Sequence, residues 1–426
     1  MDAVTRSARV LPAAILWAAV LVVPEMAAAD AASLEGKVMC GYQGWFNTPD
    51  DGMGLGWTHW ARSRRRLFAP GNISVDLWPD MKEYEPEERV ATGFRHADGR
   101  VAEVFSSANR ATVGRHFEWM RDYGIDGAFL QRFANGIDQA DALHHKNVVL
   151  ENVRAGARRA DRVYAVMYDL SGLPKGGVGR IHADWRRLRH ERGITGDSGY
   201  LHHRGRPVVA VWGIGFQDRG KPRAYTLAEC RALVEFLKQD GCTVMLGVPT
   251  GWRELNRDSV EDPRLHEILK LADVVSPWTP GRYRDLKGIQ KHADRHWVPD
   301  IGWCRTHGLD YLPVVFPGFS WHNHRGGELG AVPRLKGRFL WSQFVAARQA
   351  GAGMIYVAMF DEVDEGTAVF KITDDPPTGE HVKLLGNDGL PSDHYLWLTG
   401  QGGRLLRGEV PVVDSLPVRQ EPPAGG

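Results

Sequence analysis

ATVGRHFEWMRDYGIDGAFLQRF, Ala111 to Phe133, carries the unit from which the fold is built. Its first part reads as a helix closing at Gly124, the residue that most readily takes the left-handed C-cap conformation. The apolar run after it reads as a short strand buried on both faces. The same alternation spreads in both directions. Strand-like runs occur in KVMCGYQGW, ISVDLWPD, RVYAVMYDL, RPVVAVWGI, CTVMLGVP, DVVSPWTP, YLPVVFPGFSW and GMIYVAMFDE, and helical stretches cover 147–160, 226–241 and 335–351. Repeated strand–helix units predict a closed (β/α)8 TIM barrel, an α/β fold in a single domain over 33–405 with long βα loops; a doubly wound open sheet is the competing architecture. Nine strand candidates compete for eight places, and ISVDLWPD, in a stretch poor in helix signal, is the one set outside the barrel.

The chain has 426 residues, 43% of them hydrophobic, enough for one large core. Lys plus Arg (53) nearly cancels Asp plus Glu (52), so no global field points to nucleic acid or an anionic membrane. The one dense basic run, Arg62 to Arg66, reads as a solvated loop. Arg6 and Arg9, the apolar LPAAILWAAVLVV and the small-residue MAAAD have the order of a signal peptide over 1–29, too short for a comfortable membrane span. An exported protein is expected, periplasmic or extracellular, monomeric and without an integral membrane segment once the leader is removed. The last residues, 412–426, read as a disordered tail. Four cysteines could form two bridges or remain buried thiols, and they give no metal signal.

In a barrel of this kind chemistry collects where strands end and their following loops begin. Those ends share a style here: Tyr42, Gln43 and Trp45; Gln131 and Arg132; Tyr168 and Asp169; Trp212; Trp278; then Phe319, Trp321, His322 and Asn323. Aromatic planes cover the C–H faces of a sugar, and amide, guanidinium and carboxylate groups take its hydroxyls. An oligo- or polysaccharide is the partner that this composition suits.

The last strand runs into MFDEVDEGT, where Asp361, Glu362, Asp364 and Glu365 precede Gly366. Crowded like charges cost free energy. Two carboxylates roughly 5 Å apart at an effective dielectric near 20 repel by about 3 kcal/mol, some two pKa units, so in a semi-enclosed cleft one of them tends to stay protonated. An acid beside a base is what glycoside hydrolysis requires. A solvated acidic loop is the bland alternative, and the spacing does not fit a D-x-D-x-D-G calcium loop.

FDEVDEGT resembles the N-E-W-H-E-G-T motif that follows the last barrel strand in glycoside hydrolase family 99, the endo-α-1,2-mannosidase and mannanase group, distantly related to family 71. Both Glu residues, Gly366 and Thr367 keep their spacing. GYQGWF, DGMGLGWTHW with His59 and Trp60, VFSSANRATVGRHFEWMRDYGIDGAFL and VVFPGFSWHN resemble further family segments in the same order. The resemblance implies a retaining glycosidase without metal or organic cofactor, working through a 1,2-anhydro sugar, with Glu362 as base on the 2-hydroxyl and Glu365 as proton donor. The motif's Asn, Trp and His are here Asp361, Val363 and Asp364, so the surroundings of the pair differ. Two other readings stay open: a metal-dependent barrel hydrolase using the His322-x-His324 pair, and an inactive barrel that only binds glycans. His144, His145, His202 and His203 read as surface residues.

Overall fold

The computed structural model describes residues 29–218 and 220–419, so the expected leader lies outside the described residues apart from Ala29. Eight parallel strand positions form the barrel: β1 (Val38–Tyr42), β2 (Gly127–Phe133), β3 (Val163–Asp169), β4 (Arg206–Trp212), β5 (Thr243–Val248), β6 (Val274–Pro277), β7 in two pieces (Asp310–Tyr311 and Val314–Val315) and β8 (Ile355–Val357). Neighbours in sequence are neighbours in the sheet, and β1 pairs with both β2 and β8. The ring closes through β7. Its first piece pairs with β6 and its second with β8, while Pro313 between them, having no N–H to give, accepts from the Tyr356 N–H at 3.0 Å.

Most of these strands are buried on both faces, β3 along its whole length, which is why they read as apolar runs without alternation. Side chains still alternate between the barrel interior and the helical layer. Gly127 allows the closest approach in this sheet, since a Cβ there would stand 1.9 Å from the Val163 carbonyl oxygen. Outside lie helices whose ends follow local chemistry. Asn109 accepts the Ala111 N–H at 2.9 Å to open Arg110–Asp122, and Thr226 and Glu229 form a reciprocal cap at the start of Leu227–Gln239. Gly124, Gly241 and Gly351 take positive φ just past three helices, as their positions predict. The helix expected over 147–160 begins earlier, spanning Ala140–Ala160.

ISVDLWPD lies outside the barrel. It belongs to a long excursion between β1 and helix Arg110–Asp122 that also carries a hairpin, Val90–Arg95 with Val101–Val104. The N–H groups of Asp76 and Leu77 both donate to the Val363 carbonyl, so the excursion clasps the loop after β8. All four cysteines are free and buried. His145 and His203, expected at the surface, are buried instead; His203 Nδ1 accepts from the Leu34 N–H, and its Nε2 bonds to Asp310. Within the expected tail, Val413 accepts from the Trp341 indole and Arg419 pairs with Asp393, so 412–419 packs back on the barrel. Among the described residues no helix is long and apolar enough to cross a membrane.

Arg132 and Tyr168, expected at the cleft, point instead into the layer between barrel and helices. The Arg132 guanidinium grips Asp184 with Nε and Nη2 at 2.6 and 2.7 Å, and the Tyr168 hydroxyl donates to the same carboxylate at 2.7 Å. Burial pushes the Asp184 carboxyl up, but these donors outweigh it and hold it below the usual carboxylate range. Removing one member strands a buried charge, whereas replacing both by apolar groups does not. Asp184→Ala is therefore expected to lower the unfolding free energy by about 3–5 kcal/mol, and Arg132→Met with Asp184→Leu by much less. Urea titration checks this; equal losses in the two proteins would refute it.

Candidate active site

After β8 the chain turns through Asp361 to Thr367, and the four carboxylates of that run part company. Asp361 is fully buried and accepts the N–H groups of Gln43 and Gly44 at 2.8 and 2.9 Å, which ties the loop to the end of β1. Burial pushes its carboxyl up to about 7. Asp364 bonds to His59 Nδ1 at 2.8 Å, and the His59 ring stacks on Trp45 with centroids 3.8 Å apart. Glu362 and Glu365 are the two that line the open cleft. The backbone is held on three sides: the Glu362 carbonyl accepts from Thr367 and Ala368, the Val363 carbonyl from the excursion, and the Glu365 carbonyl from Ser320 at 2.9 Å. Gly366 makes the turn at φ +66°, with Ser320 N only 3.0 Å from where a Cβ would stand.

The pair is electrostatically coupled. Burial, then the neighbouring Glu365 and Asp364, holds the Glu362 carboxyl well above the usual range; opposing this, Thr367 Oγ1 and Gln43 Nε2 each donate to it at 2.5 Å. Glu365 is pushed up to about 8 by burial and by Asp364, against the indole of Trp321 and the charge of Arg325. Two such groups do not both ionise near neutrality, so at least one of them keeps its proton. Both carboxyls stay above the usual range despite these donors, and Glu362, gripped by two side chains, is the more firmly oriented of the two.

The cleft has a volume of about 510 Å³ and opens at the C-terminal mouth of the barrel. Of the residues expected there, Trp45, Gln131, Asp169, Trp212, Trp278 and Trp321 line it, together with Gln43 and Phe319. Gln131 donates to the Tyr356 hydroxyl at 2.9 Å; Asp169, held up by burial, accepts from the Ser171 N–H at 2.6 Å. Trp212 and Trp278 meet edge to face at 5.4 Å, and Trp321 is 39% exposed.

Six expectations are corrected. Besides Arg132 and Tyr168, Tyr42 points outward, with its hydroxyl 2.9 Å from His116 Nδ1 in the core. Trp60 is fully buried among Phe46, Phe68 and Phe105 and donates to the Phe105 carbonyl. Asn323 serves backbone, donating to the carbonyls of Val75 and Lys383. His59 stands behind Trp45 rather than in the lining. His322 and His324 bond separately to the Gly327 carbonyl and to Ser74, and among the described residues no group of three or more His, Cys, Asp or Glu gathers as a metal would need.

The cleft also contains residues the sequence reading omitted. Phe133 lies two positions beyond Gln131 and so on the same face of β2, a signal that strand alternation could have supplied. Phe216, Asp218 and Arg223 come from the chain after β4, and Arg282 from that after β6, where no strand pattern reaches.

No model of a protein family matches the chain, and no curated protein sequence matches it. Solved structures do. The structure of the GH99 endo-α-mannosidase from Bacteroides thetaiotaomicron matches with a TM-score of 0.63 and 14% identity, over 88% of this chain and 99% of that one. The complex of the same enzyme with bis-tris-propane matches with a TM-score of 0.62, at the same identity and coverage. At that identity the likeness is one of fold: this chain shares its (β/α)8 barrel, almost end to end, with an endo-α-mannosidase structure.

Proposed function

We propose that the chain is a glycoside hydrolase that cleaves α-linked glycans. The observation that carries this reading is the convergence of Glu362 and Glu365, alone among the four carboxylates of the loop, on an aromatic cleft at the mouth of a barrel. A solvated acidic loop would leave all four in water, and here Asp361, Glu362 and Asp364 are buried. A pure glycan binder has no use for two acids pressed together against their own repulsion. The likeness in fold to an endo-α-mannosidase supports an α-mannoside or a related sugar as substrate.

The chemistry follows from the two environments. Glu365 holds a proton at neutral pH and gives it to the departing glycosidic oxygen, then takes one from the water that enters. Glu362, fixed by Gln43 and Thr367, removes the proton from the 2-hydroxyl of the sugar while that oxygen attacks the anomeric carbon, forming a 1,2-anhydro ring. Water opens the ring from the opposite face, and configuration is retained. Trp45, Trp212, Trp278 and Trp321 supply planes for sugar rings on either side of the pair. The same proposal takes 1–29 as a signal peptide and the activity as exported.

A screen against α-mannans, other α-glycans and pentose-containing polysaccharides, with products weighed by mass spectrometry, tests the activity; no cleavage of any of them would count against it. Glu365→Gln is expected to slow ordinary glycosides by about 10²–10⁴-fold while sparing substrates whose leaving group needs no proton, and Glu362→Gln to lose both. Equal loss on both substrate kinds in Glu365→Gln would remove the assigned role. Because an acid held at about 8 is protonated below that pH and ionised above it, kcat/KM should fall as pH rises through about 8. With an activated leaving group Glu365→Gln should lack that alkaline limb; an unmoved limb would assign it to another group.

A further inference from the structure

The wall of the cleft facing the acidic loop carries a cation that the reaction does not use. Arg223 lies between β4 and helix Leu227–Gln239, and β4 stands opposite β8 in the ring of eight. Its guanidinium rests 4.9 Å from the ring centre of Trp212 and 4.8 Å from that of Phe216. It lines both the cleft and an adjoining cavity of about 600 Å³, with Phe216 shared between the two. Stacking of this kind keeps a guanidinium planar and fixed, with its N–H groups aimed outward in the plane.

Its charge is only partly met. Nε donates to Asp218 at 3.2 Å, but the Asp218 side chain is 67% exposed, and such a pair is screened by water. Nη1 donates to the neutral Tyr225 hydroxyl at 3.2 Å. Asp169, a buried carboxyl, is bonded to Ser171 and meets the Arg223 charge only through space, with no hydrogen bond between them. Nη2 has no hydrogen-bond partner among the described residues. The other basic residue of the lining, Arg282, is matched by Asp258 at 2.8 Å and 2.7 Å. A half-compensated, immobilised guanidinium in a cleft is the natural receptor for a flat or tetrahedral oxyanion. It belongs to the wall across the cleft from the acidic loop, since it follows β4 and the loop follows β8.

We propose that Arg223 receives an anionic substituent of the glycan, a carboxylate or a sulfate ester, on a sugar neighbouring the one held at Glu362 and Glu365, so that the chain is selective for acidic α-glycans. This rests on the glycosidase reading and adds the substrate class to it.

A matched set of polymers tests it: one neutral α-mannan, the same mannan lightly oxidised at C6 to uronate, and the same mannan lightly O-sulfated. Affinity electrophoresis measures binding of the whole protein to each, and reducing-end assays measure cleavage. Wild type is expected to favour at least one charged polymer over the neutral one by about tenfold or more, the worth of one charge-assisted hydrogen bond, and to lose much of that preference in high salt. Preference for the uronate identifies a carboxylate, and preference for the sulfated polymer a sulfate ester. Arg223→Gln should collapse the charged-to-neutral ratio, and Arg223→Lys should restore part of it, an outcome that a merely structural role would not produce. Equal binding of all three by wild type, or a ratio unchanged in Arg223→Gln, overturns the proposal. Binding decides this even where nothing is cut; absence of cleavage with a clear Arg223-dependent preference would instead count against the glycosidase reading alone.

Discussion

Two backbone N–H groups at the end of β1, those of Gln43 and Gly44, terminate on the buried carboxylate of Asp361, and the site is organised around that junction. It joins the first strand to the loop after the last, at the mouth of the barrel. It also fixes the backbone of Gln43, whose side chain then reaches Glu362 at 2.5 Å. One acid thus serves as scaffold so that another can be aimed. Where the resemblance would have an asparagine, this chain has a carboxylate held at about 7 by burial, close enough to neutrality that either protonation state is accessible and able to accept both bonds.

The crowding of charge in MFDEVDEGT resolves into a division of labour. Asp361 faces backbone, Asp364 faces His59, and the remaining two face the cleft. The separation is geometric: the turn at Gly366 and the three clamped carbonyls of the loop send consecutive side chains in different directions. Burial raises both cleft carboxyls first, and repulsion adds to it: Asp364 acts on both of them, and Glu365 on Glu362 as well.

Much of the architecture was legible because strands buried on both faces appear as unbroken apolar runs and because helix ends here are marked by Gly124, Gly241 and Gly351. The same double burial hid the face of each strand-end residue. With no polar alternation to read, nothing in the sequence distinguished Gln43 from Tyr42, Gln131 from Arg132, or Asp169 from Tyr168, although the first of each pair enters the cleft and the second enters the helical layer. One known orientation would have sorted all three, since Arg132 pairs with Tyr168 and Phe133 with Asp169 across the sheet. Asn323 was misread for another reason: a side-chain amide near a loop of irregular backbone is as readily used to satisfy carbonyls as to bind a ligand. Arg223 lies in a connection where distance from the site cannot be inferred from spacing.

Asp76, in the excursion outside the barrel, accepts from the Ser320 hydroxyl at 2.6 Å and from the N–H groups of His322 and Asn323 at 2.7 and 2.8 Å, while its own N–H reaches Val363. A single residue therefore ties the segment bearing Trp321 to the segment bearing Glu365, so that a stacking plane and an acid keep their spacing through one carboxylate that lies outside the barrel strands.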